Sequence, residues 1–117
     1  MTHYSGGCHC GATRFEVDID TDKPVMCNCS RCAKLGWAMG FAPLASFHLT
    51  KTGPLTEYLF NKETIRHQFC TICGIESFAY ANSPDGTPTV AVNLNCLDGI
   101  DARALALKAH VYDGASK

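Results

Sequence analysis

The chain has 117 residues, 46% of them hydrophobic and 18% charged, with ten basic against eleven acidic side chains and a formal net charge of -1. One domain of that length removes roughly two thirds of its extended surface from water, a thin core that calls for further cross-links. With no apolar run near the roughly 18 residues of a membrane span, no secretory leader among the first residues and no basic excess to hold a phosphate backbone, membrane and nucleic-acid partners are set aside and a cytosolic location is expected.

Residues 13–19 alternate without fault, Phe15, Val17 and Ile19 on one face and Arg14, Glu16 and Asp18 on the other, which is the period of a half-buried strand. Ser30 is placed to cap a short helical turn through Leu35. Further extended segments are predicted at 37–41, 47–50, 55–60, 64–69, 76–80 and 89–94. Asp101 then starts a second helical turn through Ala106, and 107–112 reads as a last strand. Turn signals at Thr52-Gly53-Pro54, Phe60-Asn61-Lys62, Ser83-Pro84-Asp85-Gly86 and Asp98-Gly99 separate most of these segments. The pattern predicts an all-β fold with only short helical turns, in one domain over residues 1–117.

Chemistry enters through the eight cysteines. They fall as Cys8-His-Cys10, then Cys27-Asn-Cys29-Ser-Arg-Cys32, then Cys70-Thr-Ile-Cys73-Gly74, with Cys96 alone. In a reducing compartment, thiols bunched at such spacings read as metal ligands, a disulfide framework being the alternative for a secreted chain. Zinc takes four ligands in a structural site and often three plus an open position in a working one, so the clusters divide as four and three. Cys8, Cys10, Cys70 and Cys73 form a plausible closed site that ties distant parts of the chain together. Such a site contributes on the order of 10 kcal/mol to folding in small zinc modules.

The middle cluster, Cys27, Cys29 and Cys32, lies on one short loop and leaves a fourth position free. Three thiolates neutralise the ion, which makes it a weak activator of water but a good seat for a soft ligand, so an incoming thiol is the natural fourth partner. Seven thiolates outweigh the charge of two zinc ions, and Arg31 and Lys34 are the nearby basic groups expected to offset them and to meet a substrate carboxylate. Trp37 and His67 are further candidates for lining a substrate pocket, Trp37 because it follows the cluster closely. Cys96, in the apolar run 90–97, reads as a core thiol; as a fourth ligand of the second ion it would close that site. Loss of the second zinc would leave a redox-sensitive trio.

The ordered motifs Gly7-Cys8-His-Cys10-Gly11, Cys27-x-Cys29-Ser30-x-Cys32, Phe69-Cys70-x-x-Cys73-Gly74 and Val92-Asn93-x-x-Cys96-Leu97-Asp98-Gly99 resemble the glutathione-dependent formaldehyde-activating enzyme family, also called the GFA or centromere-protein-V family. The resemblance spans nearly the whole chain. It implies a β-tent fold of packed antiparallel sheets and two zinc sites, with Cys8, Cys10, Cys70 and Cys73 on the structural ion and Cys27, Cys29 and Cys32 on the functional one. It also implies an S-(hydroxymethyl)glutathione synthase activity, formally a carbon-sulfur lyase, acting on glutathione or another small thiol and a small aldehyde. Asn28 stands where relatives often carry His. The alternative reading is a non-catalytic zinc module that carries glutathione or docks a protein partner.

Overall fold

The computed structural model describes residues 1–60 and 64–116; the turn expected at Phe60-Asn61-Lys62 falls, beyond Phe60, outside them. In β2 (Arg14–Ile19), Phe15, Val17 and Ile19 are fully buried and the residues between them reach solvent, as the two-residue period requires. β1 (Thr2–Gly7) and β5 (Phe47–Lys51) flank β2 as antiparallel neighbours, completing a three-stranded sheet.

The second sheet has seven strands: β3 (Val25–Cys27), β4 (Met39–Pro43), β6 (Leu55–Tyr58), β7 (Arg66–Cys70), β8 (Phe78–Asn82), β9 (Pro88–Asn93) and β10 (His110–Tyr112). Their spatial order is β10-β3-β4-β9-β8-β7-β6. All its pairings are antiparallel except that of β10 with β3, a departure from the purely antiparallel sheets expected. One cluster of buried side chains joins the two sheets, Phe15, Val17, Ile19 and Phe47 from the smaller meeting Phe78, Val90 and Val92 from the larger. The Phe47 ring sits between Phe15 and Phe78, with centroids 5.1 and 4.9 Å away. Stacked and tilted rings at these separations add to the gain from burial.

Alternation gives the larger sheet a second apolar face. On β8 Phe78 enters the inter-sheet core and Ala79 lies opposite; on β9 Val90 and Val92 enter it and Ala91 lies opposite; on β4 Ala42 enters it and Met39 lies opposite. Met39, Ala79 and Ala91 pack instead with Trp37 and Cys32 in a separate cluster. The candidate site stands on this face.

Two α-helices and three short 3-10 turns complete the described elements. α1 (Ser30–Leu35) begins one residue earlier in its capping than expected: Cys29 is the N-cap, with extended backbone angles, and Ser30 is already helical. α2 (Ala102–Lys108) is capped as expected by Asp101, whose carboxylate accepts from the amides of Arg103 and Ala104 at 3.0 and 3.4 Å. The strand expected from Leu107 is corrected, because the helix runs through Lys108 and only 110–112 are extended. Alanine and leucine favour the helix once it is capped, and Leu107, 90% exposed, takes no part in a buried alternation. Cys96 likewise lies beyond its strand, in a 3-10 turn over Leu94–Cys96. Among the described residues no helix is long and apolar enough to cross a membrane.

Candidate metal centres and the cavity beside them

Two groups of sulfurs converge, Cys8, Cys10, Cys70 and Cys73 in one and Cys27, Cys29 and Cys32 in the other, each with its sulfurs within 4.8 Å of one another. In the first, Cys8 and Cys10 follow β1, Cys70 ends β7, and Cys73 lies in the turn toward β8. Gly74 takes φ +79°, the left-handed conformation that lets the chain reverse past the sulfurs, and its amide donates to the Cys70 carbonyl at 2.8 Å. Sulfur separations are 3.7 Å for Cys8–Cys10 and 3.6 Å for Cys10–Cys70. Zinc-sulfur bonds of about 2.3 Å at tetrahedral angles put ligand sulfurs about 3.8 Å apart, so this donor set fits the ion. Burial opposes the Cys73 thiolate, but the amides of Ile75 and Cys10 outweigh it and lower this thiol to about 6. The cluster therefore offers negative charge to a cation at neutral pH.

The three-sulfur group is more local. Cys27 ends β3, Cys29 caps α1 and Cys32 lies within that helix. The Cys29 amide donates to Cys27 Sγ at 3.4 Å. Among the described residues no fourth metal-binding side chain joins these three. Burial pushes the Cys32 thiol up to about 12, against a smaller lowering by the Trp37 indole. A cation bound here must displace protons, so its hold weakens as pH falls.

A C-terminal turn supports this group from behind. Asn28 donates to Asp113 Oδ1 at 3.1 Å and its Oδ1 accepts from the Ala115 amide at 2.9 Å, which gives this residue a structural task. Gly114 is brought against the sulfurs so closely that a Cβ there would lie 2.4 Å from Cys27 Sγ and 3.3 Å from Cys29 Cβ. Crowding of this kind costs about 1–3 kcal/mol. Gly114→Ala is accordingly expected to weaken metal binding at the trio at least tenfold and to leave the tetrad unaffected. Competition with a chelator, followed by metal analysis, measures both; equal loss at the two sites would contradict the assignment of Gly114 to the trio alone.

The trio opens on a cavity of about 290 Å³ whose lining includes Val25, Met39, Phe41, Ile65, Ala79 and Ala91, together with Trp37 and His67. His67 is buried, and its Nδ1 lies 2.7 Å from Glu76 Oε2. Glu76 is 1% exposed and also accepts from Arg31 Nη2 at 2.5 Å, while the Arg31 guanidinium stacks 4.8 Å from the Tyr58 ring centre. A carboxylate only accepts, so Nδ1 carries a proton, and in the neutral imidazole Nε2 is left as an acceptor. Nε2 is buried and has no partner among the described residues.

Of the four side chains expected near a substrate, Trp37 and His67 line the cavity. Arg31 is committed to Glu76, and Lys34 is exposed beside a neighbouring depression with Ser30, Arg31, Leu35, Tyr58 and Phe60. Phe60 borders both spaces. Cys96 is half-buried and lies in a third depression with Cys8 and Gly74, on the tetrad's side, where burial pushes its thiol up to about 11. The trio is not closed by it. Glu76 is the site residue that sequence reasoning missed: a charged residue after a turn reads as solvated, and nothing local marks its pairing with Arg31, 45 positions away.

The family model of the glutathione-dependent formaldehyde-activating enzymes matches residues 3–115. A solved crystal structure of a Rhodobacter sphaeroides protein is similar, with 29% sequence identity and a TM-score of 0.81, covering 92% of this chain and 99% of that one.

Proposed function

The chain belongs to the glutathione-dependent formaldehyde-activating enzyme family, and on that premise we propose that it joins a small thiol to the carbonyl carbon of an aldehyde, in the manner of an S-(hydroxymethyl)glutathione synthase. In this reading residues 1–117 form one zinc-binding domain. Cys8, Cys10, Cys70 and Cys73 hold a structural zinc, and Cys27, Cys29 and Cys32 hold a functional one. The single observation that carries the reading is the three-sulfur group with no fourth ligand among the described residues, set at the wall of a cavity. A zinc held there would lower the pKa of an incoming thiol through its open coordination position.

The protein's own groups do the rest. In this reading His67 Nε2 accepts the thiol proton and returns it to the carbonyl oxygen as sulfur bonds to carbon and the carbon-oxygen double bond becomes single. The product is a hemithioacetal and no proton is gained or lost overall. Glu76, itself braced by Arg31, fixes the tautomer and the orientation of the imidazole. Lys34, in the depression across Phe60, is placed to meet a carboxylate of a glutathione-sized thiol whose body stays outside the cavity. A ligand set made wholly of thiolates suits the reducing cytosol.

Cobalt substitution tests the vacancy directly. Glutathione added to the doubly substituted protein is expected to change the absorption of one ion and leave the other silent. Steady-state turnover with glutathione and formaldehyde should then exceed the solution reaction. Two silent ions would remove the open position, and a one-ion response without acceleration would leave a thiol carrier in place of an enzyme.

A further inference from the structure

The geometry points to an aldehyde bearing an apolar substituent, of the size of an aromatic ring with a short chain, as the carbonyl substrate that fills the cavity beside Cys27, Cys29 and Cys32. This inference rests on the proposed thiol-aldehyde chemistry and gives it a substrate class. An apolar cavity of about 150 Å³ takes up one benzene ring. The space here is about 290 Å³. Formaldehyde, with two heavy atoms, would leave nearly all of it unfilled.

The walls say what belongs there. Val25, Met39, Phe41, Ile65, Ala79 and Ala91 present hydrocarbon and a thioether. Ala79 and Ala91 are what make room, since larger side chains on the same face of β8 and β9 would occupy the volume. Pockets of this kind take a ligand whose body is apolar and orient it through a few polar groups. The trio's sulfurs and His67, whose Nε2 is buried without a partner among the described residues, are such groups. Among the described residues no lysine or arginine lines these walls to meet the charged ends of a tripeptide thiol, whereas the exposed Lys34 lies beside the adjoining depression. Division of the two spaces therefore assigns the polar reactant to the depression and the apolar substituent to the aldehyde.

Trp37 is the only tryptophan in the chain and lines the cavity, so its fluorescence reports occupancy there. The test uses the zinc-loaded protein and a series of unreactive primary alcohols from ethanol to 3-phenylpropan-1-ol. Each added methylene is expected to tighten binding about fourfold until the cavity is full. In turnover with glutathione, 3-phenylpropanal should then exceed formaldehyde in kcat/KM. Ala81 lines the same cavity from β8, and Ala81→Phe, which fills it there, should weaken binding of 3-phenylpropan-1-ol at least tenfold with zinc content and circular dichroism unchanged.

Alcohol binding that ignores chain length overturns the inference. So does acceleration of formaldehyde without acceleration of 3-phenylpropanal, which leaves the proposed chemistry standing. If the fourfold gain appears when the thiol partner is lengthened and not when the aldehyde is, the substituent belongs on sulfur and the assignment fails. Absence of acceleration with every aldehyde overturns the chemistry and this inference together.

Discussion

Cys70→Ser is expected to unfold the chain at neutral pH rather than merely to empty one metal site. Cys8 and Cys10 hang from the three-stranded sheet and Cys70 and Cys73 from the seven-stranded one, so an ion at the tetrad bonds two layers that otherwise meet through side-chain packing, a short backbone bridge between Gly6 and Leu97 and the Arg14–Asp98 ion pair. A structural zinc contributes on the order of 10 kcal/mol to folding in small modules, and a whole domain of this class is stable by only about 5–15 kcal/mol. Cys70 is fully buried at the end of β7, where a serine hydroxyl is a poor zinc ligand and has no water to solvate it. Near-ultraviolet circular dichroism should disappear, and zinc per chain should fall from two to one or fewer. The matching serine at Cys29 should lose one ion and keep its dichroism, since the trio lies within the one short segment from the end of β3 into α1. A folded Cys70→Ser protein with both ions in place would mean that the sheets hold each other without the metal.

That asymmetry between sites follows from what was legible in the sequence. Both cysteine groups could be read because their geometry is local: a knuckle one or two residues wide fixes where its sulfurs point, and the glycine after Cys73 does take the left-handed turn its position required. β2 was equally plain, because its apolar residues alternate and its partners have only to cover one face. β1 was not, since a polar segment ending in two glycines owes its extended form to six paired residues of β2 and not to its own preference. The three residues of β3 are too few to show a period, and their parallel partner β10 is supplied from the far end of the chain. Leu107 misled in the opposite direction, completing an alternation that the cap at Asp101 overrode. The same reasoning explains the cavity. Its lining follows from alternation once the strands are in register, but no single segment announces that Met39, Ala79 and Ala91 share a face, because register is a property of the pairs.

Glu76→Gln is expected to cost about 2–3 kcal/mol of stability and to disable proton handling at His67, and these two effects can be separated. Glu76 is 1% exposed and accepts from both Arg31 and His67, while its backbone carbonyl accepts from Asn93 at 2.9 Å. Glutamine preserves the shape and the backbone bond, but Arg31 and His67 donate to different oxygens of Glu76, and the glutamine amide group turns a donor toward one of them. Arg31 then loses the charge it balances. Breaking a fully buried pair costs about 3–5 kcal/mol; Arg31 is 20% exposed and keeps its place over Tyr58, so the cost falls below that range. Urea denaturation of the zinc-loaded protein measures this term. Turnover should fall by more than stability does at every denaturant concentration where both variants are folded, because the imidazole no longer has a fixed tautomer. Unchanged kcat with reduced stability would reduce Glu76 to a structural ion-pair partner and remove His67 from the chemistry. A Glu76→Asp variant, which keeps the carboxylate but shortens its reach by about one methylene, should recover charge balance with Arg31 while recovering turnover only in part. Recovery of stability without recovery of rate would identify orientation of His67, and not charge alone, as what Glu76 provides.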